Sequence, residues 1–269
     1  MIAEGGCRLR RLAVCVILLG VSTGCTISRL WEPSREQVLE RIVPSSVQIV
    51  LERDGQRFRS GSGVVIAARP SAQGTDCFVL TSGHTLSRRS GQDRVFVLFG
   101  RHRGAGNKAP ATVLAYRETE DLDLGLLRAQ SNACSPAEFG RPPWLGDPMW
   151  VIAYPWGRNM TLAWGIVSQV NADPPGDRDT APRLIVDASV SYGASGGGMY
   201  DGRTGRLVGL VEGYRTARVS FQGDASHYVE VPVPGETYVV PLADIRRFLI
   251  EVKQEDLLGE LRATANTRQ

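Results

Sequence analysis

Short apolar, β-branched runs separated by tight-turn residues constrain the fold of this chain more than any other feature. Val47-Gln48-Ile49-Val50-Leu51 is followed by Asp54-Gly55, a dipeptide suited to a two-residue hairpin turn. Phe58 with Val64-Val65-Ile66, then Phe78-Val79-Leu80, Val95 to Phe99 and Ala111 to Tyr116 continue the series. Leu184-Ile185-Val186 and Leu207 to Val211 extend it into the second half. Polar loops are expected at Arg69–Thr75 and Gly100–Pro110, and the Pro- and Gly-rich stretch 135–148 is expected to join two halves. Many short strands with regular turn signals predict an all-β barrel or sandwich. Two segments break the pattern. Ser34 is placed to cap a short helix over Glu36–Ile42. Ile245, Phe248, Leu249 and Val252 predict a helix over 242–262, packed on the second half of the sheet structure. There is no internal sequence repeat.

The run Gly193-Ala194-Ser195-Gly196-Gly197-Gly198 is poor core material, because glycine has no apolar side chain and loses much entropy on ordering. The same run suits a nucleophile. Glycines admit a substrate carbonyl close to the backbone, where N–H groups stabilise a developing oxyanion. A serine hydroxyl is weak at neutral pH and needs a neighbouring base. Of three histidines, only His84 follows a hydrophobic strand, in Leu80-Thr81-Ser82-Gly83-His84-Thr85-Leu86. His102 lies between two arginines, and His227 lies in a polar segment. Asp123 and Asp121 share the same strand parity and are both candidates to orient the histidine. The pattern Gly193-x-Ser195-x-Gly197 also fits a nucleophile elbow, which needs a helix after the serine. Here the turn signal Tyr200 to Gly205 and another strand follow instead.

The order His84, Asp123, Ser195 resembles that of the chymotrypsin-like serine proteases. The surrounding residues resemble the HtrA/Deg-like branch of the trypsin-like peptidases, without a PDZ domain. The similarity is carried by Gly61-Ser62-Gly63-Val64-Val65-Ile66, Leu80 to Leu86, Asp123 to Leu127, Gly146 to Gly157, Thr161 to Ser168, the serine run, and Tyr238 to Pro241. It therefore spans about residue 45 to about residue 250. The resemblance implies two six-stranded antiparallel Greek-key β-barrels, with a short N-terminal helix and a C-terminal helix. The first barrel, 45–140, would carry His84 and Asp123, and the second, 141–241, would carry Ser195. Residues 242–269 would form the C-terminal helix and tail. The family pattern selects Asp123 and leaves Asp121 as a solvated loop charge. It also implies an oxyanion hole from the backbone N–H groups of Gly193 and Ser195. It places Ser189 at the base of the primary specificity pocket, with Tyr214 narrowing it. A neutral Ser189 predicts no strong preference for Arg or Lys, and cleavage after a small or aliphatic residue. Two positions depart from the pattern. Ala194 stands where Asn or Asp is usual, and Gly198 where proline is usual. Ala194 cannot form the buried carboxylate ion pair of zymogen-activated relatives, so activation through a new N-terminus is not expected. With few residues after the last strand, no PDZ domain is expected to follow it.

The first segment reads as a signal, not as fold. Arg8, Arg10 and Arg11 precede the apolar run Leu12 to Leu19, which is too short for a comfortable membrane span. Ser22-Thr23-Gly24-Cys25 resembles a bacterial lipobox, so residues 1–24 are expected to be removed and Cys25 lipidated. Residues 25–44 would then be a tether and the short helix. The segment 1–24 holds Arg8, Arg10, Arg11 and Glu4, so its loss brings the formal charge of +3 close to neutrality. Nothing in that balance suggests a nucleic-acid footprint, and no nucleic-acid partner is expected. Cys77 and Cys134 remain as a pair, and in the resembled barrel their strands are antiparallel neighbours, which implies a disulfide. The expected activity is a serine endopeptidase acting on proteins or peptides of the bacterial cell envelope, tethered to a membrane at Cys25, with no metal or cofactor. The alternative is a protease-fold binding or sensor module with weak or no turnover.

Overall fold

The computed structural model describes residues 32–87, 89–104, 106–119, 121–172, 183–221 and 224–259. The signal segment and Cys25 lie outside the described residues. After helix α1 (Arg35–Ile42) come strands β1 (Ser46–Arg53), β2 (Gln56–Ser71) and β3 (Gly74–Thr81), then a one-turn helix, α2 (Gly83–Ser87). Strands β4 (Arg94–Phe99), β5 (Asn107–Glu118) and β6 (Asp123–Gln130) complete the first half. The second half contains β7 (Pro148–Ala153), β8 (Thr161–Ala172), β9 (Arg183–Val186), β10 (Gly198–Asp201), β11 (Leu207–Phe221) and β12 (Asp224–Pro241), followed by α3 (Leu242–Glu251).

The strands form two closed six-stranded antiparallel barrels, in the orders β1-β2-β3-β6-β5-β4 and β7-β8-β9-β12-β11-β10. Pairing of β1 with β4 closes the first, and pairing of β10 with β7 closes the second. Counted from its own first strand, each barrel has the same connectivity. The repeat exists in topology although the sequence shows none. The architecture agrees with the expected chymotrypsin-like double barrel.

Alternation along single strands builds the cores. Val47, Ile49 and Leu51 of β1 point into the first barrel with Val65, Val79 and Leu127. Met149, Val151, Val186 and Val239 fill the second. Strand β2 is buried on both faces: Val65 faces its own barrel, while Val64 and Ile66 join a cluster lying between the barrels. That cluster also takes Trp150, Ile152 and Tyr200 from the second barrel, Val38 and Ile42 from α1, and Ile245, Phe248 and Leu249 from α3. Each large apolar side chain buried there contributes about 1.5–3 kcal/mol.

Several expected boundaries change. The Arg69–Thr75 loop shrinks to a turn, because β2 runs to Ser71 and β3 starts at Gly74. Strand pairing with β4 likewise converts Asn107 to Pro110 from loop into β5. The C-terminal helix ends at Glu251 rather than 262; Lys253 sits at φ +58°, a left-handed conformation that stops it. It also packs against residues of both barrels, not the second alone. Helix α1 begins at Arg35 with the expected cap. Ser34 Oγ accepts the Gln37 N–H at 3.3 Å, and the Gln37 side chain accepts the Ser34 N–H at 2.8 Å. Cys77 and Cys134 form a disulfide with Cα atoms 5.7 Å apart, tying β3 to the segment after β6.

Candidate active site

Strand β3 ends at Thr81, and the one-turn α2 that follows carries His84 with its side chain part-exposed. Only glycine fits just before it: a Cβ on Gly83 would strike the Arg117 carbonyl and sit 3.0 Å from Asp123 Oδ1. Asp123 opens β6 and is buried. Its Oδ2 lies 2.6 Å from His84 Nδ1, and its Oδ1 accepts the backbone N–H of His84 at 2.7 Å. Both carboxylate oxygens thus serve one residue. An ionised carboxylate only accepts, so Nδ1 carries the proton and Nε2 is left with its lone pair. Burial alone would pull the His84 pKa down. The hydrogen bond and charge of Asp123, helped by Glu118, outweigh it and hold the imidazole above its ordinary value, with Arg59 opposing. Asp121 lies in the loop before β6 with its side chain half exposed, and there its carboxylate takes Arg247 of α3 at 3.0 Å.

The serine loop is braced from both barrels. Ser62 of β2 donates its N–H to the Ser195 carbonyl at 2.9 Å, and its hydroxyl donates to the Gly193 carbonyl at 2.9 Å. The same hydroxyl accepts the Tyr154 N–H at 2.8 Å. On the other side, Gly196 N–H donates to Val211 O at 2.7 Å and Val211 N–H to Gly197 O at 2.8 Å. A Cβ on Gly61 would lie 2.8 Å from Thr85 and 3.5 Å from the Ser195 carbonyl, so the turn bearing His84 and the serine loop meet across that glycine.

Two amides of this loop stand apart. The Tyr192 carbonyl accepts Trp156 N–H at 2.8 Å, and the Ala194 carbonyl accepts Gly197 N–H at 2.8 Å. In a trans peptide the N–H points away from its carbonyl. The amides of Gly193 and Ser195 are therefore turned away from these anchors, and neither donates to an acceptor among the described residues. Gly193 holds φ +89°, and a Cβ there would approach Trp156 N to 2.9 Å, so the position requires glycine. Ala194 is buried in the second core. The strand β10, not a helix, follows the serine, which removes the nucleophile-elbow alternative.

Ser189 is exposed in the segment between β9 and the serine loop. Tyr214 is part-buried on β11, opposite Thr237, whose hydroxyl donates to the Ala188 carbonyl at 2.6 Å. The two pocket candidates therefore lie on neighbouring segments. His102 is away from this group, its pKa lowered by burial and Arg103, and the side chain of His227 lies outside the described residues. Among the described residues Ser195 Oγ makes no hydrogen bond to His84. In unliganded enzymes that contact often tightens only when substrate arrives. Sequence reasoning missed the Ser62 brace, and it missed the exposed Trp156 and Tyr192 rings, 5.3 Å apart beside the Gly193 amide. Trp156 adopts φ +56°, a conformation that no pattern in the sequence signals.

Comparison with known structures finds the same fold. The crystal structure of a serine endoprotease from Yersinia pestis aligns with TM-score 0.57 at 22% identity, covering 82% of this chain and 66% of that one. An HtrA-type protease, AlgW, solved with a tripeptide, aligns with TM-score 0.61 at 20% identity, covering 83% of this chain and 64% of that one. The chain thus spans just under two thirds of each neighbour's length. A comparison with curated protein sequences finds no match. The family described as trypsin-like peptidase domain matches residues 61–210, which contain His84, Asp123 and Ser195. On that match, over more than half of its length, the chain belongs to the trypsin-like peptidase domain family.

Proposed function

We propose that this protein is a serine endopeptidase that cleaves proteins or peptides through an acyl-enzyme. One observation carries the reading: Asp123 grips His84 by both its ring and its backbone, leaving Nε2 without a hydrogen bond among the described residues, in the turn that meets the serine loop across Gly61. His84 takes the Ser195 proton as Oγ attacks the scissile carbonyl, and the imidazolium is stabilised by Asp123. The Gly193 and Ser195 amides receive the oxyanion. His84 then gives its proton to the leaving amine, and water repeats the sequence in reverse to free the enzyme. Ser189 and Tyr214 border the acyl-side pocket and favour a small or aliphatic residue. The basic and apolar run before Cys25, and a disulfide of the kind that persists in oxidising compartments, support export and a lipid anchor at the cell envelope.

The missing Ser195–His84 hydrogen bond favours a second reading, a binding module with slow turnover. Casein or a peptide library incubated with the purified protein and with Ser195→Ala separates them. Cleavage confined to the unsubstituted protein supports the endopeptidase. Equal behaviour of the two, with no products, supports the binding module.

A further inference from the structure

Helix α3 carries a ladder of ion pairs that runs from the histidine half of the site to the serine half. At one end Asp121 lies in the loop that leads into β6, two residues before Asp123. Arg247 of α3 holds that loop twice, through Nη1 to the Asp121 carboxylate at 3.0 Å and through Nη2 to the Asp121 carbonyl at 3.1 Å. The loop is pinned from within as well, because Thr119 N–H donates to Leu122 O at 2.9 Å and Leu122 N–H to Thr119 O at 3.3 Å. One turn back along the helix, Asp244 takes Arg247 at 3.3 Å and Arg183 of β9 at 3.4 Å. Arg183 is fully buried and forks onto Glu212 of β11, through Nε at 2.5 Å and Nη2 at 3.4 Å. Glu212 follows Val211, whose carbonyl accepts the Gly196 N–H and whose N–H donates to the Gly197 carbonyl. The ladder therefore starts beside the residue that orients His84 and ends beside the residue that holds the serine loop.

His84 and Ser195 sit on different barrels, so their separation depends on how the barrels dock. The cluster between the barrels is apolar, and apolar burial is non-directional. Hydrogen bonds between charged groups fix distance and angle. Burying ions is a poor route to stability, because apolar side chains of like volume often hold a core as well or better. A buried arginine shared by two carboxylates is suited instead to setting one geometry.

We propose that Arg247, Asp244 and Arg183 are positioning residues, which act through Asp121 and Glu212 to hold the histidine and serine halves of the catalytic site in register. The proposal rests on the endopeptidase reading and adds what aligns its site.

The test is the rate at which a fluorophosphonate labels Ser195 in the full protein, in Arg247→Met, in Glu212→Gln and in the double variant, with a thermal melt of each. Arg247 and Asp121 are part-exposed, so Arg247→Met should melt within a few degrees of the unsubstituted protein. Each single change is expected to slow labelling about tenfold, through misalignment alone. The double variant should lose little more than either single one, because both break the same ladder. With a peptide substrate the loss should fall on kcat, with KM within about twofold. Arg247→Lys keeps the charge without the guanidinium fork, so it should slow labelling less, and it serves the same comparison if Arg247→Met does not fold. Labelling at the unsubstituted rate in the folded Arg247 variant would overturn the positioning role and leave the endopeptidase reading intact. Single losses that multiply in the double variant would overturn it too, by marking two independent effects. A Ser195 inert to the probe in the unsubstituted protein, with no peptide cleaved, would overturn the endopeptidase reading and the positioning role with it.

Discussion

Asp123 spends both carboxylate oxygens on His84, one on ring Nδ1 at 2.6 Å and one on the backbone N–H at 2.7 Å. The first contact fixes the tautomer and the second fixes where the ring can sit. Asp123→Asn keeps the shape but can present an amide N–H to Nδ1, favouring the wrong tautomer. The expected outcome is a fall in kcat of about 10⁴-fold, as for the same change in the well-studied triad, with the fold retained. Steady-state kinetics beside a thermal melt check it, and a loss under tenfold would contradict the role given to Asp123.

The pH profile carries a sign. His84 must be neutral to act as base, and its pKa stands above the ordinary value. Activity should therefore rise with pH through a midpoint above about 6.5, the free histidine value, and stay low beneath it. Arg59 pushes the other way, so Arg59→Gln should move the midpoint to higher pH. Measuring kcat/KM against pH for both proteins decides this, and a midpoint shifted downward in Arg59→Gln would contradict it.

Ser62 braces the loop without touching the reacting atoms. Removing its hydroxyl frees the Gly193 carbonyl and leaves the buried Tyr154 N–H unpaired. Ser62→Ala should lower stability by about 1–3 kcal/mol. It should lower kcat by about tenfold as the oxyanion amides lose their fixed aim, with KM little changed. A variant that loses stability but keeps full kcat would make Ser62 a purely structural residue.

The Cys77–Cys134 disulfide closes a loop of 57 residues. Removing such a bridge costs about 2–5 kcal/mol. Cys77→Ser/Cys134→Ser should melt about 5–15 °C lower than the oxidised protein. The same drop should follow reductant in the unsubstituted protein, and an unchanged melting temperature in both cases would contradict a stabilising bridge.

Much of this was legible in the chain. β-Branched runs marked most strands, and the glycines around Ser195 marked a loop unfit for a core. The edges of strands were less legible. Arg69 to Ser71 and Asn107 to Pro110 read as loop by composition, and only pairing with β3 and β4 makes them strand. The end of α3 depends on Lys253 in a left-handed conformation, to which lysine gives no local clue. The three candidate catalytic residues could be named because their neighbours are locally distinctive. The parts that position them could not. Ser62 meets Gly193 across 131 positions, and Arg183 pairs with Glu212 and Asp244 while fully buried. Such pairings follow from barrel closure and the docking of α3, which no single segment encodes.

The most direct test of the account is labelling of Ser195 by a fluorophosphonate probe, located by peptide mass spectrometry, in the folded protein and in Ser195→Ala. Such a probe reports an activated hydroxyl, whatever the natural substrate. The account predicts covalent label on Ser195, lost in Ser195→Ala and sharply slowed in Asp123→Asn. A folded protein whose Ser195 stays unlabelled across the pH range where His84 is neutral would contradict it.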